Sequence, residues 1–314
     1  MRKIGLIMIM VIGVGMKAVY GEQDFPHFQQ DKPVALSVSA VVYGDTALYM
    51  DRLRQKFPNQ NIFVRLFSIQ DTTRVDEWAK LVGHAQTLPV VYSDMYDAQI
   101  AFQAGHAKAK GQDLIADLFR HPKGLYILPY TPETDIDEGQ FKIFLMSRCP
   151  YGQRAVMVLD EFSKVYPDRA TTLDIGFIME QNLIGRFVSL HGEEEVKENY
   201  FWKFLLTRDV IRLNKLVRYH VTYGNTEPFS KLMNGFMKAD FDSLNRVFET
   251  TNVRETVTQV LLDDYQFSQR FHISASPTFV VGGKWIASFE ELENFDRYKG
   301  ISAFWTGGKP NACK

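Results

Sequence analysis

Two thiols bound the sulfur chemistry open to this 314-residue chain, for cysteine occurs only at Cys149 and Cys313. An apolar run over 143–146 reads as a short buried strand. Ser147-Arg148-Cys149-Pro150-Tyr151-Gly152 follows it, and Ala155, Val158, Leu159, Phe162 and Val165 then recur at helical spacing. Strand, cysteine, proline and helix in that order put the sulfur at a helix N-terminus. There the unpaired N–H groups and the macrodipole favour an anion, so a thiol in that place has a lowered pKa. Arg148 and Arg154 are expected to add to the effect. The resulting thiolate is suited to attack on a disulfide sulfur. Two cysteines are too few for a disulfide-stapled fold or a cysteine-based zinc site.

Other residue types offer less. His191 and Glu195 stand four apart, as a metal pair on one helix face would, but no third ligand is evident, and acidic residues suit a first helical turn in any case. His220 and His272 are isolated and read as surface or core. Phe201, Trp202, Phe204 and Phe229 could line a peptide groove, with ordinary helical core the better account. No Gly-rich phosphate loop, serine nucleophile elbow or paired-carboxylate motif stands out. No metal and no cofactor is expected.

The elements that must position Cys149 can be read along the chain. Arg2 and Lys3 precede an apolar run over 4–16, and Val19-Tyr20-Gly21 offers a small-residue cleavage site. This reads as a signal peptide over 1–21; the alternative, a short membrane anchor, is disfavoured because a span needs roughly 20 apolar residues. Export implies an oxidising compartment, periplasmic or secreted. With 46% hydrophobic and 13% aromatic residues the remainder should fold. A net charge of −1 without long charge blocks points away from nucleic acid. Strands are expected over 33–42, 61–69 and 88–92, and helices over 48–57, 75–84 and about 98–119. A Pro- and Gly-punctuated stretch, 124–139, reads as a linker.

An internal repeat links the two sides of that linker. With Tyr43-Gly44 set on Tyr151-Gly152, Ala47 falls on Ala155 and Leu88-Pro89-Val90-Val91 corresponds to Ser276-Pro277-Thr278-Phe279. Both sides then run strand, turn, helix, strand, variable helical segment, Pro-led strand. Val41 takes the place of Cys149, so the first copy can do no thiol chemistry.

The second copy resembles DsbA-like thioredoxin-fold proteins. The likeness is carried by Met146-Ser147-Arg148-Cys149-Pro150-Tyr151-Gly152-Gln153, by the Ser189-Leu190-His191-Gly192-Glu193-Glu194-Glu195 block that continues to Asn199, and by Ile273-Ser274-Ala275-Ser276-Pro277-Thr278-Phe279. It implies two tandem thioredoxin-like α/β domains, 22–123 and 140–314, the second with a helical insertion at about 181–271. It also implies a thiol–disulfide oxidoreductase site of Cys149, Pro150, Tyr151 and Gly152, faced by Ser276 and a cis Pro277 that bind the substrate. Ser276 could tune the thiol through a hydrogen bond. Gly152 stands where the Cys-Pro-x-Cys motif has its second cysteine, so Cys149 should act alone, forming mixed disulfides with protein or peptide thiols or with a small thiol. No membrane span is expected after signal cleavage. Cys313 could be the partner of Cys149, with Gly307-Gly308-Lys309-Pro310 turning the tail back, but in a thioredoxin fold the last helix runs away from the active-site end, so a Cys313 free or joined to another molecule is the favoured reading. The competing reading is a redox-silent thioredoxin-fold scaffold that holds an envelope protein or peptide.

Overall fold

The computed structural model describes residues 36–58, 62–93, 100–103, 117–128, 137–169, 172–208, 210–223, 247 and 250–305. The signal expected over 1–21 and the end of the chain that carries Cys313 lie outside the described residues. From Ala35 onward the chain is one compact unit of mixed α/β structure. Among the described residues no helix is long and apolar enough to cross a membrane.

The first half builds on β1 (Leu36–Val42), α1 (Thr46–Lys56) and β2 (Ile62–Ser68). Asp45 caps α1, accepting from the Ala47 N–H at 2.8 Å, and Arg54 and Lys56 suit the negative end of its dipole. α2 (Val75–Val82) is followed by β3 (Thr87–Leu88), a cis Leu88–Pro89 bond, β4 (Val90–Ser93) and β5 (Ile100–Gln103). β1 runs parallel to β2 and antiparallel to β4, giving the order β2-β1-β4-β5. A helix was expected across 98–119, but Ile100–Gln103 is an edge strand, because antiparallel pairing to β4 satisfies its backbone.

The second half begins with β6 (Leu125–Ile127), inside the stretch expected to be a linker. It pairs with β3 on one side and with the last strand, β12 (Trp285–Ala287), on the other. β7 (Gln140–Leu145), α3 (Pro150–Val165) and β8 (Thr172–Phe177) form a second strand–helix–parallel strand unit. The expected insertion opens on a small hairpin, β9 (Glu180–Gln181) and β10 (Phe187–Val188), and becomes helical at α4 (Glu193–Arg208), α5 (Val210–Tyr223) and α6 (Thr251–Arg270). β11 (Thr278–Val281) and β12 (Trp285–Ala287) complete the sheet β3-β6-β12-β11-β7-β8. Within it, β8-β7-β11-β12 repeats the order and directions of β2-β1-β4-β5. After β12 come three short 3-10 turns, Glu290–Asn294, Asp296–Tyr298 and Ile301–Phe304, and no long helix among the described residues.

The two halves share a core because β1 has two apolar faces. Val38, Ala40 and Val42 pack with Tyr49, Leu53 and Phe119. Val41, pointing the other way by the two-residue period of a strand, joins Phe67, Leu88, Tyr126, Phe141 and Trp285. A run buried on both faces reads as continuously apolar, as Ala40-Val41-Val42 does.

Candidate functional site

Cys149 is the N-cap residue of α3, in extended conformation (φ −77°, ψ 119°). Pro150 takes the first helical position, where its missing N–H is no loss and its fixed φ suits the helix. The Cys149 N–H donates to Met146 O, and its carbonyl accepts from the Gln153 N–H, each at 3.0 Å. These bonds hold the cysteine against the end of β7. Across the sheet, Cys149 Sγ lies 3.6 Å from the Ser276 carbonyl oxygen, and the Ser276–Pro277 bond is cis. Residues 149–152 and 276–277 therefore meet in one place. Pro150 is exposed and Tyr151 half-buried beside it.

Cys149 is fully buried and disulfide-bonded. The chain has one other cysteine, Cys313, which is outside the described residues. The geometric objection to intrachain pairing loses its premise. It assumed a last helix running away from the site, whereas Ile301–Phe304 packs beside α3, with Arg154 Nη2 donating to Phe304 O at 2.9 Å.

Gly152 is buried, and its surroundings explain why a glycine stands there. A Cβ at this position would lie 2.7 Å from Ser276 Oγ, 3.0 Å from Leu145 Cβ and 3.3 Å from Met146 O. The Ser276 hydroxyl is fixed in that space, accepting from the Met146 N–H at 3.1 Å. Ser276 thus presents its carbonyl, not its hydroxyl, to the sulfur. The hydroxyl occupies the ground that a side chain at 152 would need.

Arg148 was expected to act as a positive neighbour of the thiol. Its guanidinium is instead committed to Glu198, with Nε donating to Oε1 at 2.9 Å, both side chains being buried. The Arg148 backbone N–H donates to Glu195 Oε1 at 2.8 Å. Glu195 also binds the Ser189 hydroxyl and the His191 ring, whose Nδ1 lies 3.0 Å from it. The second Glu198 oxygen faces His220 Nε2 at 3.8 Å. Gln153 completes the cluster, donating to Ser147 O at 2.6 Å and standing 3.4 Å from His220 Nδ1. Burial pushes the Glu198 carboxyl up to about 7 against the pull of Arg148. This cluster was not foreseen from sequence; its one signal is that Glu195 and Glu198 are three apart, and so share a helix face. Glu195 is thus a hydrogen-bonding partner of the loop before Cys149, and His191 is a partner of Glu195.

A cavity of about 260 Å³ opens beside the site, lined by Met146, Ile178, Met179, Val188, Leu190 and Ser274 among others. Its walls are mostly apolar, and its size suits one or two side chains. Phe201, Trp202 and Phe204 are buried core, and Phe229 is outside the described residues.

No protein-family model and no curated protein matches the sequence. Among solved structures the chain is similar to ScsC of Proteus mirabilis in a compact conformation, at 16% identity and a TM-score of 0.34 over 50% of this chain and 82% of that one. It is similar to the oxidoreductase NmDsbA1 from Neisseria meningitidis, at 14% identity and 0.36 over 57% and 87%. The oxidoreductase NmDsbA3 from the same organism gives 16% and 0.35 over 57% and 90%. Likeness at this level carries nothing about chemistry.

The corresponding place in the first half is a packing surface. Val41, in the position of Cys149, is fully buried. Tyr43 stacks on Tyr126 with ring centroids 4.5 Å apart and meets the edge of Trp285 at 4.9 Å. His121 lies against Trp285 at 4.6 Å, and burial lowers its pKa to about 4. A second charged group, with Lys203 and Asp264 buried and Lys142 and Asp174 partly exposed, ties β7 and β8 to α4 and α6.

Proposed function

We propose that this chain is an exported thiol–disulfide oxidoreductase-like protein that acts through Cys149. In this reading it is built from two tandem thioredoxin-like folds, the second bearing the helical insertion, and it works in the cell envelope on protein or peptide thiols or a small thiol. The observation that carries it is the disulfide-bonded Cys149 at the N-terminus of α3, apposed to the Ser276 carbonyl at 3.6 Å. The repeated strand order supports the tandem fold. The Cys149 thiolate attacks a disulfide sulfur to give a mixed disulfide, and a second thiol releases it. The α3 N-terminus favours the thiolate. The adjacent cavity would take an apolar side chain next to the substrate cysteine. The first half serves as support, its equivalent end being packed inside.

One observation favours a second reading. A fully buried Cys149 suits a redox-silent binding scaffold. The two part on the pH dependence of Cys149 alkylation, localised by mass spectrometry, without and then with reductant. The oxidoreductase reading expects labelling only after reduction, with a midpoint below the roughly 8.5 of a free thiol. A reduced Cys149 that stays unlabelled, or titrates at or above that value, leaves the scaffold.

A further inference from the structure

We propose that Glu195 is a positioning residue that ties the wall of the apolar cavity to the turn carrying Cys149. The side chain a substrate places in the cavity and the sulfur it must meet then keep one spacing. This deepens the reading of Cys149 as the reactive thiol and rests on it. The Glu195 side chain is fully buried, in the first turn of α4. It reaches two segments that are far apart in sequence. On one side it accepts from the Arg148 N–H, 47 residues away, at 2.8 Å. On the other it accepts from the Ser189 hydroxyl and from the His191 N–H at 3.3 Å, and it stands 3.0 Å from His191 Nδ1. Ser189 lines the cavity with Val188 and Leu190. Met146, also in the lining, accepts from the Cys149 N–H. One carboxylate therefore holds both the residue before Cys149 and the chain that forms part of the cavity wall.

Helix capping alone does not account for this arrangement. A glutamate in the first turn commonly reaches back to an N–H at the helix start, and the bond from the His191 N–H is of that kind. The bond from Arg148 lies outside any such motif. A buried N–H needs an acceptor, and Arg148 takes its own from α4, not from the strand–helix unit to which it belongs. Its guanidinium is held by Glu198 on the same helix. The turn is thus fixed to α4 at 195 and at 198, and the first of these attachments is shared with the cavity wall. A small misplacement of a substrate relative to the reacting atom is costly in rate, so a shared attachment point bears directly on how well a peptide seated in the cavity meets Cys149.

The test uses the reduced full chain as wild type, Glu195→Ala, Glu195→Gln and Ser189→Ala. The probes are disulfide-linked dimers of two peptides that differ only in having leucine or glycine beside the cysteine. The Cys149 thiolate attacks one sulfur of the dimer and that S–S bond breaks. One peptide stays on Cys149 as a mixed disulfide, and the other leaves as a thiolate and takes a proton. The rate of that first release, compared between the two dimers, gives the preference. Seating a leucine side chain in the cavity should favour its dimer about ten-fold in the wild type. Glu195→Ala should reduce the preference to about three-fold or less. Glu195→Gln, which keeps an oxygen for the Arg148 N–H, should retain it. Ser189→Ala leaves the Arg148 bond in place and loosens the wall, so it should lower the preference about three-fold, the worth of one hydrogen bond; it also carries the test if Glu195→Ala does not fold. Three results would overturn the role of Glu195 and leave the oxidoreductase reading standing: a wild type without the preference, a Glu195→Ala or Ser189→Ala protein that keeps it in full, or a Glu195→Gln protein that loses as much as Glu195→Ala. A reduced wild type whose Cys149 reacts with neither dimer nor an alkylating reagent would overturn that reading as well.

Discussion

Replacing Arg148 by methionine should destabilise the protein in a way that grows with pH. Arg148 is what keeps Glu198 partly ionised in a buried place, with its guanidinium Nε 2.9 Å from Oε1. Glu198 has a folded pKa of about 7 against an ordinary 4.5, burial being the larger cause and Arg148 the opposing one. Between those values the folded chain holds a proton that the unfolded chain has released, so stability falls as pH rises across that window, by on the order of 3 kcal/mol. Without Arg148 the folded value rises further and the fall continues to higher pH. Below about pH 6 Glu198 is protonated in both proteins, and the variant loses only hydrogen bonds, ~1–2 kcal/mol. Above pH 8 it leaves an unmatched buried charge, a loss of roughly 3–5 kcal/mol. Urea unfolding followed by tryptophan fluorescence at pH 5.5 and 8.5, with Cys149 held in one redox state, measures both gaps. The double variant Arg148→Met/Glu198→Met lacks this carboxyl and with it the fall in stability across the window, so its gap from wild type should narrow as pH rises. A single-variant gap of equal size at both pH values would refute the assignment of a buried, Arg-dependent Glu198 charge.

Two further outcomes follow from the packing. Gly152→Ala should cost about 1–3 kcal/mol through overpacking, and Ser276→Ala in the same chain should return part of it by removing the nearest atom; equal unfolding midpoints for G152A and wild type would contradict the enclosure of position 152. Lys203→Met leaves Asp264 with Lys142 as its remaining cation at this cluster, so unfolding free energy should drop by roughly 3 kcal/mol at neutral pH, and by less at acidic pH, because burial raises the Asp264 pKa and the proton then replaces the lost cation. A loss independent of pH would show that packing of the lysine stem dominates.

The first half closes off the turn before α1 by packing. Its turn at Tyr43-Gly44 corresponds to Tyr151-Gly152, yet Tyr43 is enclosed by Tyr126, Trp285 and His121. Gly44 has φ +89°, a conformation that favours glycine and lets the chain turn into α1 behind this cluster. The turn before α1 is thus packed against the seam along which β3 and β6 join the sheet of the second half.

Local signals in the sequence determined the strand–cysteine–proline–helix order at 143–165, the Asp45 cap, and the correspondence of Leu88-Pro89 with Ser276-Pro277. Each of these depends on spacing within a few residues, and period and capping are written in the chain itself. Tertiary structure decided the rest. Ile100–Gln103 is a strand because β4 offers it an edge, and Leu125–Ile127 is not a linker because β3 and β12 leave a gap that its backbone fills. Arg148 lost its expected role as a free positive neighbour because α4 brings Glu198 to it across fifty residues of sequence. The lack of room for a side chain at Gly152 comes from a serine hydroxyl, Ser276 Oγ, contributed from far along the sequence. Such contacts have no period and no fixed spacing, so only the folded chain reveals which side chains compete for the same few cubic ångströms.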